Sequence, residues 1–158
     1  MSFVKSAMKK LEQMFLGQYY YSLDEKSRLT VPACYRDLLS DGAFVTQGFD
    51  CNILVLTTGA FQEIYKCVMA MNIADPLVRL LIRMLLGNAS QLEMDESGSI
   101  IVPQKLRELA DLKDEAVIVG QGDYFEIWAP LLWSRQEIRL QDAEANAQRL
   151  AVLDLTRH

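Results

Sequence analysis

Histidine is almost missing from this sequence. His158, the last residue, is the only one, and a chain end does not hold an imidazole in catalytic geometry. Cysteine is scarce too: Cys34, Cys51 and Cys67 are odd in number and show no Cys-x-x-Cys spacing. That pattern fits reduced, buried thiols better than a disulfide frame or a zinc site. No apolar run approaches the roughly 20 residues of a membrane span, and 1–13 lack the apolar centre of a secretory signal, so a cytoplasmic location is expected. Glycine-rich phosphate loops are absent as well. Gly120-Gln121-Gly122 has no third glycine and leads into strand-like residues. These gaps argue against an enzyme, and no metal, cofactor, small-molecule substrate or membrane partner is expected.

Positive charge is also in short supply, with a net charge of −5. Its distribution matters more than its sum. The stretch 24–37 balances Lys26, Arg28 and Arg36 against Asp24, Glu25 and Asp37, and 95–107 balances Lys105 and Arg107 against Asp95 and Glu96. The acidity lies in 108–133, where Lys113 stands alone against Glu108, Asp111, Asp114, Glu115, Asp123 and Glu126. A polyanion partner would therefore require several chains to gather their few cations on one face.

What the sequence does have is a repeat. The stretch 23–39 returns without a gap as 94–110, keeping Asp24/Asp95, Glu25/Glu96, Val31/Val102, Pro32/Pro103, Arg36/Arg107 and Leu38/Leu109. Around each copy the pattern predicts a β-β-α-β-β unit. Tyr19, Tyr21 and Leu23 alternate as in a half-buried strand. Glu25-Lys26-Ser27 is a tight turn, and 28–31 a return strand that completes a two-strand hairpin. Gly98 suits the positive φ of the second turn, where Ser27 in the first copy is less comfortable. Pro32 and Pro103 are placed at the first position of short helices. Strands follow at 43–47 and 53–56, and again at 116–120 and 124–128.

Between the copies, Thr58 is the expected cap of a helix with Phe61, Ile64, Tyr65 and Val68 on its apolar face. Asp75-Pro76 starts a second helix with an apolar stripe of Leu77, Leu80, Leu81, Met84 and Leu85. Arg79 and Arg83 on that helix read either as a solvated or ion-paired face or as a subunit contact with an acidic neighbour. Pro130 opens a C-terminal helical tail. The expected organisation is thus an extension at 1–13, a first unit at 14–58, connecting helices at 59–87, a second unit at 88–130 and a tail at 131–158.

Met14-Phe15-Leu16-Gly17, the run Leu23-Asp24-Glu25-Lys26-Ser27-Arg28-Leu29-Thr30-Val31-Pro32, the junction Leu85-Leu86-Gly87-Asn88-Ala89, the second Asp95…Val102-Pro103 unit and Phe125-Glu126-Ile127-Trp128 together resemble the MraZ family. The likeness runs in order from Met14 to about Trp133. It implies an α+β fold of two tandem AbrB-like swapped-hairpin units forming a pseudo-twofold β-barrel, assembled into a homo-oligomeric ring. It also implies a bacterial, nucleoid-associated, sequence-specific DNA-binding regulator of a division and cell-wall gene cluster. The family signature Asp-x-x-x-Arg is kept by Asp24 and Arg28, with Lys26 between them. The second copy keeps Asp95 and Gly98 but has Ser99 where the arginine belongs.

From the residues themselves, a polar turn can enter or straddle a DNA groove. Arg28 suits a phosphate or a guanine edge and Lys26 a phosphate, whereas Asp24 would accept backbone N–H groups and fix the turn. The bland alternative is a surface ion pair between Asp24 and Arg28, worth about 0–1 kcal/mol. At the level of function, the alternative is a structural oligomer or a protein-binding, antitoxin-like module without DNA contact. Direct repeats in the promoter DNA, spaced to match neighbouring subunits, are expected if the ring reading holds.

Overall fold

The computed structural model describes residues 2–5 and 13–156. His158 and most of the 1–13 extension lie outside them. Eight strands form in the repeated order of the sequence: β1 (Gln18–Ser22), β2 (Arg28–Thr30), β3 (Ala43–Gln47) and β4 (Ile53–Thr57), then β5 (Ser90–Leu92), β6 (Ser99–Ile101), β7 (Glu115–Gly120) and β8 (Tyr124–Trp128). All pairings between them are antiparallel. They build a six-stranded sheet, β1-β7-β8-β4-β3-β5, and a two-stranded ribbon, β2-β6. The architecture is α+β.

The two halves exchange strands. β1 of the first half pairs with β7 of the second, and β5 of the second pairs with β3 of the first. The ribbon and the β4–β8 pair also join the halves. The expected β1–β2 hairpin is therefore corrected. Only its mouth closes, through a Leu23–Leu29 bridge and the hydrogen bond from Asp24 N–H to Arg28 O. Beyond that point the strands diverge, because each finds a longer ladder with the other half.

One core serves both halves. Leu29 faces Ile100 across the ribbon, and both are fully buried, as are Val31 and Val102 just beyond. Burying side chains of this size stabilises by about 1.5–3 kcal/mol each. Phe15, Tyr35 and Phe125 form an aromatic cluster at centroid distances of 4.9 to 5.4 Å. The Tyr35 hydroxyl donates to Leu16 O, and burial pushes its pKa up.

From β2 onward the helices are α1 (Ala33–Arg36, continued by a 3-10 turn at Asp37–Leu39), α2 (Thr58–Met69), α3 (Pro76–Leu85), α4 (Gln104–Leu109), α5 (Pro130–Gln141) and α6 (Ala143–Leu150). Several sequence expectations shift here. Pro32 and Pro103 cap α1 and α4 from just outside, in extended conformation. Thr57 caps α2, accepting from Ala60 N–H at 3.1 Å, while Thr58 donates to Asp41 O. On α2, Tyr65 is exposed. On α3 the inner face is Val78, Leu81, Ile82 and Leu85, and Leu77 and Leu80 point outward. Arg79 bonds the Ile73 and Ala74 carbonyls at 3.1 and 3.0 Å.

The buried-thiol expectation fails, since all three cysteines are exposed. Cys67 lies on the outer side of α2, and Cys51 takes φ 57° in a turn. No helix among the described residues is long and apolar enough to cross a membrane.

Candidate nucleic-acid interface

The first turn is organised by a single carboxylate. Asp24 Oδ1 accepts the backbone N–H of Lys26 and of Arg28, each at 2.9 Å, and Oδ2 accepts Arg28 Nε at 2.7 Å. A short side chain that satisfies the turn's own donors substitutes for a longer backbone turn. Ser27 completes it at φ 60°, the left-handed region that costs a non-glycine residue about 1–2 kcal/mol. The Arg28 backbone N–H, its guanidinium and the other turn contacts hold the Asp24 carboxyl below its ordinary pKa.

This ion pair uses only Nε of Arg28. The two Nη groups keep their four N–H donors, on a side chain 41% exposed. Lys26 stands beside it, exposed and in no ion pair among the described residues. The bland reading of the Asp24–Arg28 pair thus describes a real contact, but one that orients the guanidinium without covering it.

The second turn repeats the frame without the cation. Asp95 Oδ1 accepts Ser97 N–H at 3.0 Å, Ser99 N–H at 2.9 Å and the Ser97 hydroxyl at 2.7 Å. Those bonds, Ser99 N–H first, lower the Asp95 pKa. Gly98 takes φ +82°. With Ser99 in place of arginine, this turn presents Asp95 and Glu96 and no basic side chain of its own.

The ribbon register sets the two turns near each other. Arg28 lies opposite Ile101 and Ser99 opposite Thr30, so the turns open from opposite ends of a ladder only about 7 Å long. The Asp95 charge is close enough to add, in a minor way, to the rise of the Arg28 pKa that Asp24 chiefly causes.

This doubled arrangement has a counterpart in known proteins. A family model described as "MraZ protein, putative antitoxin-like" matches the chain twice, over 14–84 and 85–154. The chain belongs to the MraZ family. A protein of Roseiflexus castenholzii named transcriptional regulator MraZ is 42% identical over 142 residues, covering 89% of this chain and 99% of that one. Proteins of the same name from Thermomicrobium roseum and Desulfitobacterium hafniense are 36% and 34% identical, over 89% and 85% of this chain and 99% and 94% of theirs.

Two further arginines of this MraZ-family chain border the ribbon. Arg36 on α1 donates Nε to Val31 O at 3.1 Å, and Arg107 on α4 donates Nε to Val102 O at 3.0 Å. Neither enters an ion pair among the described residues, and both are half-buried. Both are identical positions of the repeat, and that identity is the only signal the sequence offers for them. Spacing points to the turns alone, because nothing in it shows that a helix of one half lies beside the turn of the other.

Proposed function

We propose that this chain is a sequence-specific DNA-binding transcriptional regulator, with Lys26 and Arg28 as its first DNA contacts. The carrying observation is the first turn: Asp24 fixes it from within and leaves the Arg28 Nη groups and the Lys26 ammonium facing solvent. A rigid, outward-facing guanidinium fits a phosphate or a guanine edge, and a point-charge ammonium fits a phosphate. The naming of the MraZ relatives as transcriptional regulators supports the same reading.

In this reading Asp24, Asp95 and Gly98 shape the turns, and Ser99 weakens the second one. The exchanged strands support two swapped-hairpin units, 14–58 and 88–130, closing a pseudo-twofold barrel, with helices at 59–87 and 131–158 outside it. Two cations on one chain bind DNA weakly, so a homo-oligomeric ring is proposed to align copies of the first turn along promoter direct repeats. Linked weak contacts gain about 100-fold to 10,000-fold when the geometry permits. The outward Leu77 and Leu80, 72% and 61% exposed, with Ile73 beside them, offer apolar surface for such self-association. The proposed setting is the cytoplasm, on the nucleoid, at the promoter of the chain's own division and cell-wall gene cluster.

The test is binding of the purified protein to DNA from upstream of its own gene, at two salt concentrations, with particle size measured in parallel. Salt-sensitive binding by a multimer to repeated sites is expected. A monomer without affinity for any upstream segment would refute the proposal.

A further inference from the structure

The second turn lacks its own cation, yet a guanidinium lies directly on it. A Cβ built on Gly98 would stand 2.4 Å from both Cζ and Nε of Arg36 and 2.9 Å from its Nη1. Real Cβ atoms do not approach other atoms so closely, so the Arg36 head group occupies the space that a side chain at 98 would need. Arg36 comes from α1 of the first half, and the turn belongs to the second. Val31 ties them together: its N–H donates to Gly98 O at 2.9 Å, and its carbonyl accepts Arg36 Nε at 3.1 Å.

We infer that Arg36 serves as the phosphate contact of the second turn, supplied across the halves where Ser99 supplies none. This rests on the DNA-binding reading and extends it. Arg36 spends Nε on Val31 O, and its Nη groups have no carboxylate partner among the described residues. Held by Nε, with its Nη groups in no ion pair among the described residues, this half-buried guanidinium is anchored as Arg28 is on the first turn. Both turns of the ribbon then carry one oriented arginine, the first from its own strand and the second from the opposite half. Glycine is favoured at 98 on two counts: its φ of +82°, and the Arg36 guanidinium, which a side chain there would push aside.

Two measurements test this. Arg36→Gln removes the charge, and Arg36→Lys keeps it. The slope of log binding constant against log salt, on nonspecific duplex DNA, should flatten by about 0.9 for each phosphate that Arg36→Gln leaves without its cation. Most of the slope should return in Arg36→Lys. A merely structural arginine would change melting temperature but not that slope. An unchanged slope in a folded, normally assembled Arg36→Gln protein overturns the inference.

If Arg36→Gln does not fold, arginine modification of the wild-type protein by phenylglyoxal decides. Read by mass spectrometry, Arg36 should be modified in the free protein and protected by duplex. Arg28 protected with Arg36 unprotected refutes the inference and leaves the DNA reading standing. Neither protected refutes both. An Arg36 unreactive in the free protein also overturns it, since a covered guanidinium cannot meet a phosphate.

Discussion

Replacing Ser99 with arginine gives the second turn the guanidinium of the first, while Ser97 still stands at the place of Lys26. In the first turn, Oδ2 of the ordering aspartate holds Arg28 Nε at 2.7 Å, whereas in the second, only Oδ1 of Asp95 is engaged. A new arginine at 99 therefore has a waiting partner and the same frame. Its ion pair with Asp95 is exposed, so the folded state should gain no more than about 1 kcal/mol.

The effect on DNA is of another size. One extra phosphate neutralised adds about 0.9 to the salt slope, so the ratio of dissociation constants at about 200 and 50 mM salt should grow roughly 3.5-fold per phosphate. In the proposed ring, several engaged turns would multiply that factor. Fluorescence anisotropy of a labelled duplex across a salt series reads the slope, and thermal melting reads the stability. An unchanged slope with the protein folded and assembled would mean that the second turn is not at the DNA.

Other predictions concern the frame and a half-buried acid. Gly120→Ala would set a Cβ 2.5 Å from Leu16 N and from the carbonyl carbon and oxygen of Phe15, all backbone atoms held by hydrogen bonds between Phe15 and Gly122. A loss of about 1–3 kcal/mol in denaturant unfolding is expected. Gly59→Ala in α2 meets nothing within 4 Å and should stabilise by about 0.5 kcal/mol; destabilisation there would contradict the placement of α2. Glu126 is raised above its ordinary pKa by burial, against the opposing hydrogen bonds from Trp128, Asn52 and Gln121. Between the unfolded value of about 4.3 and the higher folded one, the folded state holds more protons, so the Glu126 contribution to stability falls as pH rises through that window. Carbon-13 titration of the carboxyl should give a midpoint above about 4.3, and one at or below it would contradict the burial argument.

Local order was legible in the sequence because local physics sets it. The alternation at Tyr19 and Tyr21, the cap at Asp75 before Pro76 and the positive φ at Ser27 and Gly98 all follow from nearest neighbours. Partner choice was not legible. Leu23 and Leu29 alternate as well for a simple hairpin as for strands that leave each other after one bridge, and only the assembled core selects the second. For the same reason the outward turn of Leu77 and Leu80 does not show in their spacing. It makes a stripe, but which stripe faces β3 depends on where the sheet lies. Arg36 shows the limit at the site itself, since its neighbour Gly98 belongs to the other copy of the repeat.

The most direct test of the DNA reading is the affinity of Arg28→Ala for DNA from upstream of the chain's own gene, compared with the unaltered protein at the same salt. The mutation removes the free Nη donors but leaves Asp24 Oδ1 bound to the two backbone N–H groups of the turn. Loss of specific binding with particle size and melting temperature unchanged is the expected result. Undiminished binding of that DNA by folded Arg28→Ala protein would contradict it.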